Sequence, residues 1–209
     1  VTPTHVMNVN PSSPACEPAP AAVAAAPVEL NIKNVMDALQ SHDLQLFTAA
    51  TATLEQWVVR EPRHALALMG LGISLARRQQ WAQAQERFEQ AIAAEPKLAQ
   101  AHSNLGNLHR QFGRRANAIT AYKKAVQLQP GMAEAHYNLS IVLDEDGKAA
   151  QAEEAVRRAL LFRPNYPEAH NNLGNVLLKS GRVEAAVSHF RQALVWDDTL
   201  RPARFNLII

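Results

Sequence analysis

The sequence predicts an all-α fold, an α-solenoid of helix-turn-helix repeats, and two observations carry that prediction. Pro62, Pro96, Pro130 and Pro164 stand 34 residues apart, and the residues around them recur in step. Between them, apolar residues return at spacings of three, four and seven, which lays an apolar stripe along each of two helices per interval. A chain with a fixed period of roughly 20–50 residues buries its core by stacking each repeat on the next. Such a fold offers an extended surface in place of an enclosed pocket, so function is sought along a face.

The elements follow in chain order. Residues 1–28 hold six of the twelve prolines and the run Ala-Ala-Val-Ala-Ala-Ala. They lack the large apolar side chains that would offset ordering entropy, which predicts an extended mobile arm with at most a brief helix across Ala21–Ala26. Residues 29–64 read as a divergent N-terminal capping repeat, with Phe47 and Trp57 packing on the repeat that follows. With each proline set at position 32, four full repeats fall at 65–98, 99–132, 133–166 and 167–200. Asp198 stands where a fifth proline would. Residues 201–209 open a further repeat that stops on Leu207, Ile208 and Ile209. This apolar end points to end-to-end self-association or to a longer natural protein.

Composition narrows the function classes. Apolar residues are 47% and charged residues 19% of the chain, ordinary for a soluble protein, and a net charge of +2 gives no bulk attraction for a polyanion. No nucleic-acid partner is therefore expected. Cys16 is the only cysteine, so no internal disulfide or thiolate metal site can form. No apolar run of about 18 residues is present to span a membrane. Nothing at Val1 reads as a leader, and either Met7 is the natural start or a targeting segment has been removed. The cytoplasm is favoured, with the periplasm open in the second case. The sequence shows no phosphate loop, no paired His and Glu on a metal-binding helix and no nucleophile elbow. No catalytic residue and no cofactor is nominated.

The columns of the repeat are specific. Leu71, Leu105, Leu139 and Leu173 share position 7, and Gly72, Gly106, Ser140 and Gly174 share position 8, where a small residue lets two helices approach. Ala84, Ala118, Ala152 and Ala186 occupy position 20, and Phe88, Tyr122, Val156 and Phe190 occupy position 24. Position 27 holds Ala91, Ala125, Ala159 and Ala193. Gly113, Gly147 and Gly181 mark the inter-helix turn at position 15. This small-large-small pattern resembles the tetratricopeptide repeat family over residues 65–200, with a weaker copy at about 31–64. In that copy Ala50 and Leu54 fit, but Asp37 replaces the leucine and Trp57 the small alanine.

The resemblance implies a right-handed superhelix whose first helices line a concave groove, with ligand contact at positions 2, 5, 6, 9, 12 and 13. Position 6 carries Asn104, Asn138, Asn172 and Asn206, and position 9 adds Asn107 and Asn175. An asparagine amide offers both donors and an acceptor to a peptide unit. The column resembles the asparagine ladder in the repeat arm of O-linked N-acetylglucosamine transferases. Arg77 and Arg110 sit toward one end of the groove, with Tyr137, Glu134 and Glu168 further along. A carboxylate clamp like that of chaperone-binding relatives is not expected. Its register here reads Ser103, Asn107, Asn138, Glu168 and Asn172, so both asparagines match but all three cations are missing.

Other patterns have simpler readings. His102, His136 and His170 share one position in successive repeats, and packed helices about 8–10 Å apart keep them from one metal ion, so they read as packing residues. Asp144-Glu145-Asp146-Gly147 reads as a solvated turn. Lys123, Lys124, Arg157, Arg158 and Arg191 form a basic stripe on second helices. The leading expectation is a non-enzymatic module that binds a protein or extended peptide in its groove. The alternatives are the substrate-selecting arm of a longer glycosyltransferase-like enzyme and an assembly scaffold that uses the basic stripe.

Overall fold

The computed structural model describes residues 31–208. The arm at 1–28, its short helix, Cys16 and Ile209 lie outside that range. The described residues form eleven α-helices in six pairs, the last incomplete, with no strand among them. Helix α1 spans Ile32–Gln40 and α2 Leu44–Arg60. The pairs that follow are α3 Ala65–Arg77 with α4 Trp81–Ala94, α5 Ala99–Gln111 with α6 Arg115–Leu128, and α7 Ala133–Glu145 with α8 Ala149–Phe162. Pairing continues with α9 Pro167–Lys179 and α10 Val183–Trp196, and α11 Arg201–Asn206 ends the series.

Each pair is closed by one size match. Gly72, Gly106 and Gly174 lie against Phe88, Tyr122 and Phe190, and a Cβ on these glycines would stand 2.5, 2.7 and 2.4 Å from the facing ring. Real side chains do not approach so closely, so the large aromatic requires the glycine. Where position 8 is Ser140, position 24 is the smaller Val156, and both are fully buried. Tyr122 and Phe190 are the largest fully buried side chains, and each burial removes enough apolar surface to stabilise by about 1.5–3 kcal/mol.

The turns follow from backbone requirements. Gly113, Gly147 and Gly181 take φ of +66°, +74° and +76°, a region that costs residues with a Cβ roughly 1–2 kcal/mol. The first full repeat has Gln79 in that place, at φ +60°. Second helices stop before the prolines because a residue preceding proline is pushed out of the helical region. Glu95, Gln129 and Arg163 accordingly adopt φ near −135° with ψ near +86°. Asp198 interrupts the proline series, yet α10 still ends. There the Asp197 carboxylate accepts from the Thr199 amide at 2.9 Å and its hydroxyl at 2.7 Å, a side-chain turn in place of the proline.

The capping pair α1–α2 is held differently. Val35, Leu39, Phe47, Ala50 and Leu54 join Ala67 and Leu71 in one core, so the leucine absent at Asp37 is supplied by its neighbours on α1. Asp43 caps α2 by accepting from Gln45 and Leu46 amides. Trp57 packs against the His64 ring at 4.9 Å, and Arg77 lies over Phe47 at 4.4 Å.

Candidate functional site

First helices touch one another across repeats: α1 meets α3, α5 meets α7 and α7 meets α9. Successive second helices make no comparable contact, so the first helices line the inner face and the second helices the outer one.

The position-6 asparagines lie along this inner face, and three of them bond to their own chain. Asn138 Nδ2 donates to Asn107 Oδ1 at 3.1 Å, and the Tyr122 hydroxyl donates to the same oxygen at 2.6 Å. Asn172 Nδ2 donates to Ser140 Oγ at 2.7 Å, while that hydroxyl donates to the Tyr137 carbonyl at 2.6 Å. Asn206 Nδ2 donates to Asn175 Oδ1 at 2.9 Å and to Asn171 Oδ1 at 3.0 Å. Each therefore reaches one repeat back, to position 8 or 9 or to the residue at position 5 (Asn171). Opposite Asn104 the preceding repeat carries Gly72 and Ile73 at positions 8 and 9, and Asn104 Nδ2 is buried with no hydrogen-bond partner. Pairings such as Asn107 with Asn138 and Asn175 with Asn206 are visible in the sequence once positions 9 and 6 of consecutive repeats are read together.

Charge and aromatic groups fill the rest of the face. Arg110 is half-buried and lies close enough to Tyr122 and Tyr137 to oppose the rise in their pKa, which burial drives first. Glu134 and Glu168 are exposed. Tyr166, which sequence reading had not singled out, stacks beside Tyr137 at 4.9 Å and under Arg163 at 4.3 Å. Burial, then the Tyr137 hydroxyl beside it, raises its pKa to about 12. Arg77 is anchored away from the centre: its guanidinium donates to the carbonyls of Leu39 and Ser41 as well as lying over Phe47.

The histidine column has a structural role. His102, His136 and His170 each bring Nε2 to the carbonyl of the proline six residues earlier, Pro96, Pro130 and Pro164, at 3.0, 2.9 and 3.0 Å. Each ring thus ties a first helix to the end of the preceding second helix. His170 Nδ1 also meets His189 Nδ1 at 3.1 Å. With His170 donating from Nε2, its Nδ1 accepts and His189 Nδ1 carries the proton. Burial lowers the pKa of His136, His170 and His189, and holds them neutral.

On the outer face, Arg157 pairs with Glu153 at 2.9 Å and Arg158 with Glu154 at 3.0 Å. Arg182 also reaches Glu153 at 2.5 Å, and this hydrogen bond, more than Arg157, lowers the Glu153 pKa. The basic stripe is therefore neutralised locally at Arg157 and Arg158. In the acidic turn Asp144 pairs with Lys179, Glu145 with Arg115 and Asp146 with Lys148. No helix among the described residues is long and apolar enough to cross a membrane.

Against known proteins, the family model described as Tetratricopeptide repeat matches residues 70–133, 104–167 and 137–203, which together span more than half of the chain. No curated protein is a significant match to the sequence. Among solved structures, YrrB, described as a TPR protein with an unusual peptide-binding site, is 18% identical with a TM-score of 0.66, covering 85% of this chain and 91% of its own. MamA from Desulfovibrio magneticus RS-1 is 20% identical with a TM-score of 0.66, covering 81% and 95%. TTC0263 of Thermus thermophilus, a thermophilic TPR protein, is 21% identical with a TM-score of 0.65, covering 85% and 97%. At these identities the likeness is one of fold.

Proposed function

The chain belongs to the tetratricopeptide repeat family, and on that premise we propose that it is a non-enzymatic interaction module that binds an extended segment of a partner protein along the face of α3, α5, α7 and α9. The carrying observation is a row of first-helix side chains, Arg110, Glu134 and Glu168, that enter no ion pair among the described residues and lie around Tyr137 beside the asparagine column. Unpaired charges next to such a polar strip are available to a ligand. The peptide-binding site named for YrrB lies on a related fold and supports the same reading.

The asparagine column has two parts in this proposal. Asn138, Asn172 and Asn206 fix the register of neighbouring first helices, and their remaining bonding capacity meets the partner's main chain with that of Asn104, Asn107 and Asn175. A net hydrogen bond contributes about 0.5–1.5 kcal/mol, and micromolar affinity needs about 8. Side-chain contacts from Tyr137, Arg110, Arg77, Glu134 and Glu168 supply the rest.

Selection of random linear peptides displayed on phage against the intact protein tests this. Enriched peptides should lose binding to Glu134→Lys combined with Glu168→Lys. They should keep it with Lys123→Glu combined with Lys124→Glu on the outer face. The reverse pattern, or no enrichment, contradicts inner-face binding.

A further inference from the structure

Three features of the α3–α5 step bear on one another. A cavity of about 350 Å³ lies there, lined from α3, α4 and α5. Its apolar wall is made by Ile73, Trp81, Phe88 and Leu108, and Asn104 and Asn107 border it. Three buried side-chain polar atoms among the described residues lack a hydrogen-bond partner, on Ser103, Asn104 and His109, and all three belong to α5.

The sequence explains the opening. At the α5–α7 step Tyr122, Asn107 and Asn138 close a chain of hydrogen bonds through the interface. The same three places at α3–α5 hold Phe88, Ile73 and Asn104. Phe88 has no hydroxyl and Ile73 no acceptor, so the Asn104 amide is left with its donors unused. A buried amide without a partner carries a desolvation cost that a ligand oxygen would relieve.

The rim of this cavity is charged with one sign. Arg77 and Arg110 border it and no carboxylate does. The neighbouring cavity by Thr51 and Leu75 carries Glu55 and Glu86 beside Arg78 and Arg87. The Arg77 guanidinium is engaged by the Leu39 and Ser41 carbonyls and by the Phe47 ring, which leaves Arg110 as the rim cation open to a ligand. Ligand pockets span about 300–1,000 Å³, and this one, at the small end, has room for one side chain with adjoining main chain.

We propose that the α3–α5 cavity is the anchoring subsite of the groove, which takes a large apolar side chain of the partner segment, with an acidic residue beside it against Arg110 and the Asn104 amide turning from its buried position to donate to a main-chain carbonyl of the segment. The proposal rests on the inner-face reading above and adds the chemistry of the partner. It also sets direction, because Glu134 and Glu168 further along place the basic end of the segment toward α7 and α9.

The test is the same displayed library, selected on the wild-type protein and read on two variants. Ile73→Asn supplies Asn104 with the acceptor that Asn107 gives Asn138 and replaces an apolar wall residue of the cavity with a polar one. Arg110→Glu reverses the rim charge on a partly exposed side chain beside Tyr122. Peptides enriched on the wild type should share a large apolar residue next to Asp or Glu. Their affinity should fall at least about tenfold with either variant, as expected when a charge-assisted contact is lost, while circular dichroism shows unchanged helicity. Enriched peptides that lack this pair, or that bind both variants as tightly as the wild type, overturn the subsite. If those peptides still depend on Glu134 and Glu168, the inner-face reading stands and the subsite alone falls. If no peptide is enriched, both fall.

Discussion

At the α5–α7 step a tyrosine hydroxyl and an asparagine amide share the Asn107 oxygen, while at the α3–α5 step the corresponding asparagine, Asn104, has nothing to bond. The helix-pair arrangement is repeated in both places, and so is the asparagine. What differs is the residue one repeat back, Asn107 in one case and Ile73 in the other. A repeated side chain therefore has no fixed role in a solenoid, and its neighbour in the preceding repeat decides whether it is structural or available.

The largest effect is expected inside a repeat, where the size match is the same on both sides of the comparison. Gly106→Ser alone places atoms inside the Tyr122 ring contact of 2.7 Å and should lower stability by about 1–3 kcal/mol through overpacking, read from urea denaturation. Combining it with Tyr122→Val recreates the Ser140 and Val156 pairing of the next repeat. The double variant should lose less than the sum of the two single changes, because residues in contact couple. Strict additivity would mean that positions 8 and 24 are not matched for size.

The paired histidines offer a contrast at the far end of the array. Burial depresses the folded pKa of His170 and His189 below the ordinary 6.5, so the unfolded chain takes up protons first. Stability is then full above about pH 6.5 and declines as pH falls toward the lowered folded values. The thermal midpoint should drop as pH falls below about 6.5, and replacing both histidines with glutamine should flatten that limb. An unchanged slope in the double variant would assign the acid loss to other groups.

The smallest expected effect lies beside the open step. Gln79 occupies the left-handed turn where the other repeats have glycine. Gln79→Gly should stabilise by about 0.5–1 kcal/mol, since release of the Cβ strain exceeds the added entropy of the unfolded chain. A loss of stability would show that the Gln79 side chain makes a contact of its own worth more than the strain.

Much of this was legible in the sequence because it depends on spacing. The proline and leucine columns gave the helix pairs, and the glycine and aromatic columns gave the close approach that Gly72, Gly106 and Gly174 make. The histidines read correctly as packing residues, although their bond to the proline carbonyl six residues earlier needed coordinates. The asparagines were harder. Their column is plain, but hydrogen bonds run between repeats, and the reading taken within one repeat missed that Asn138, Asn172 and Asn206 donate to the repeat before. The end of α10 without its proline could not be foreseen from Asp198, because Asp197 makes the turn. The basic stripe at Arg157 and Arg158 was visible, and so were Glu153 and Glu154 one helical turn earlier, which neutralise it.

The most direct measurement is the pair of substitutions Asn104→Leu and Asn138→Leu, compared by urea denaturation of the same chain. Leucine keeps the branched shape and the number of heavy atoms and removes the amide. Asn138→Leu breaks a bond to Asn107 and should cost about 1 kcal/mol. Asn104→Leu removes a buried donor that bonds nothing and should leave stability unchanged or raise it by up to about 1–3 kcal/mol. Opposite or clearly unequal effects in that order support an open step and a closed step. Equal losses at the two positions would contradict the distinction on which the binding proposal stands.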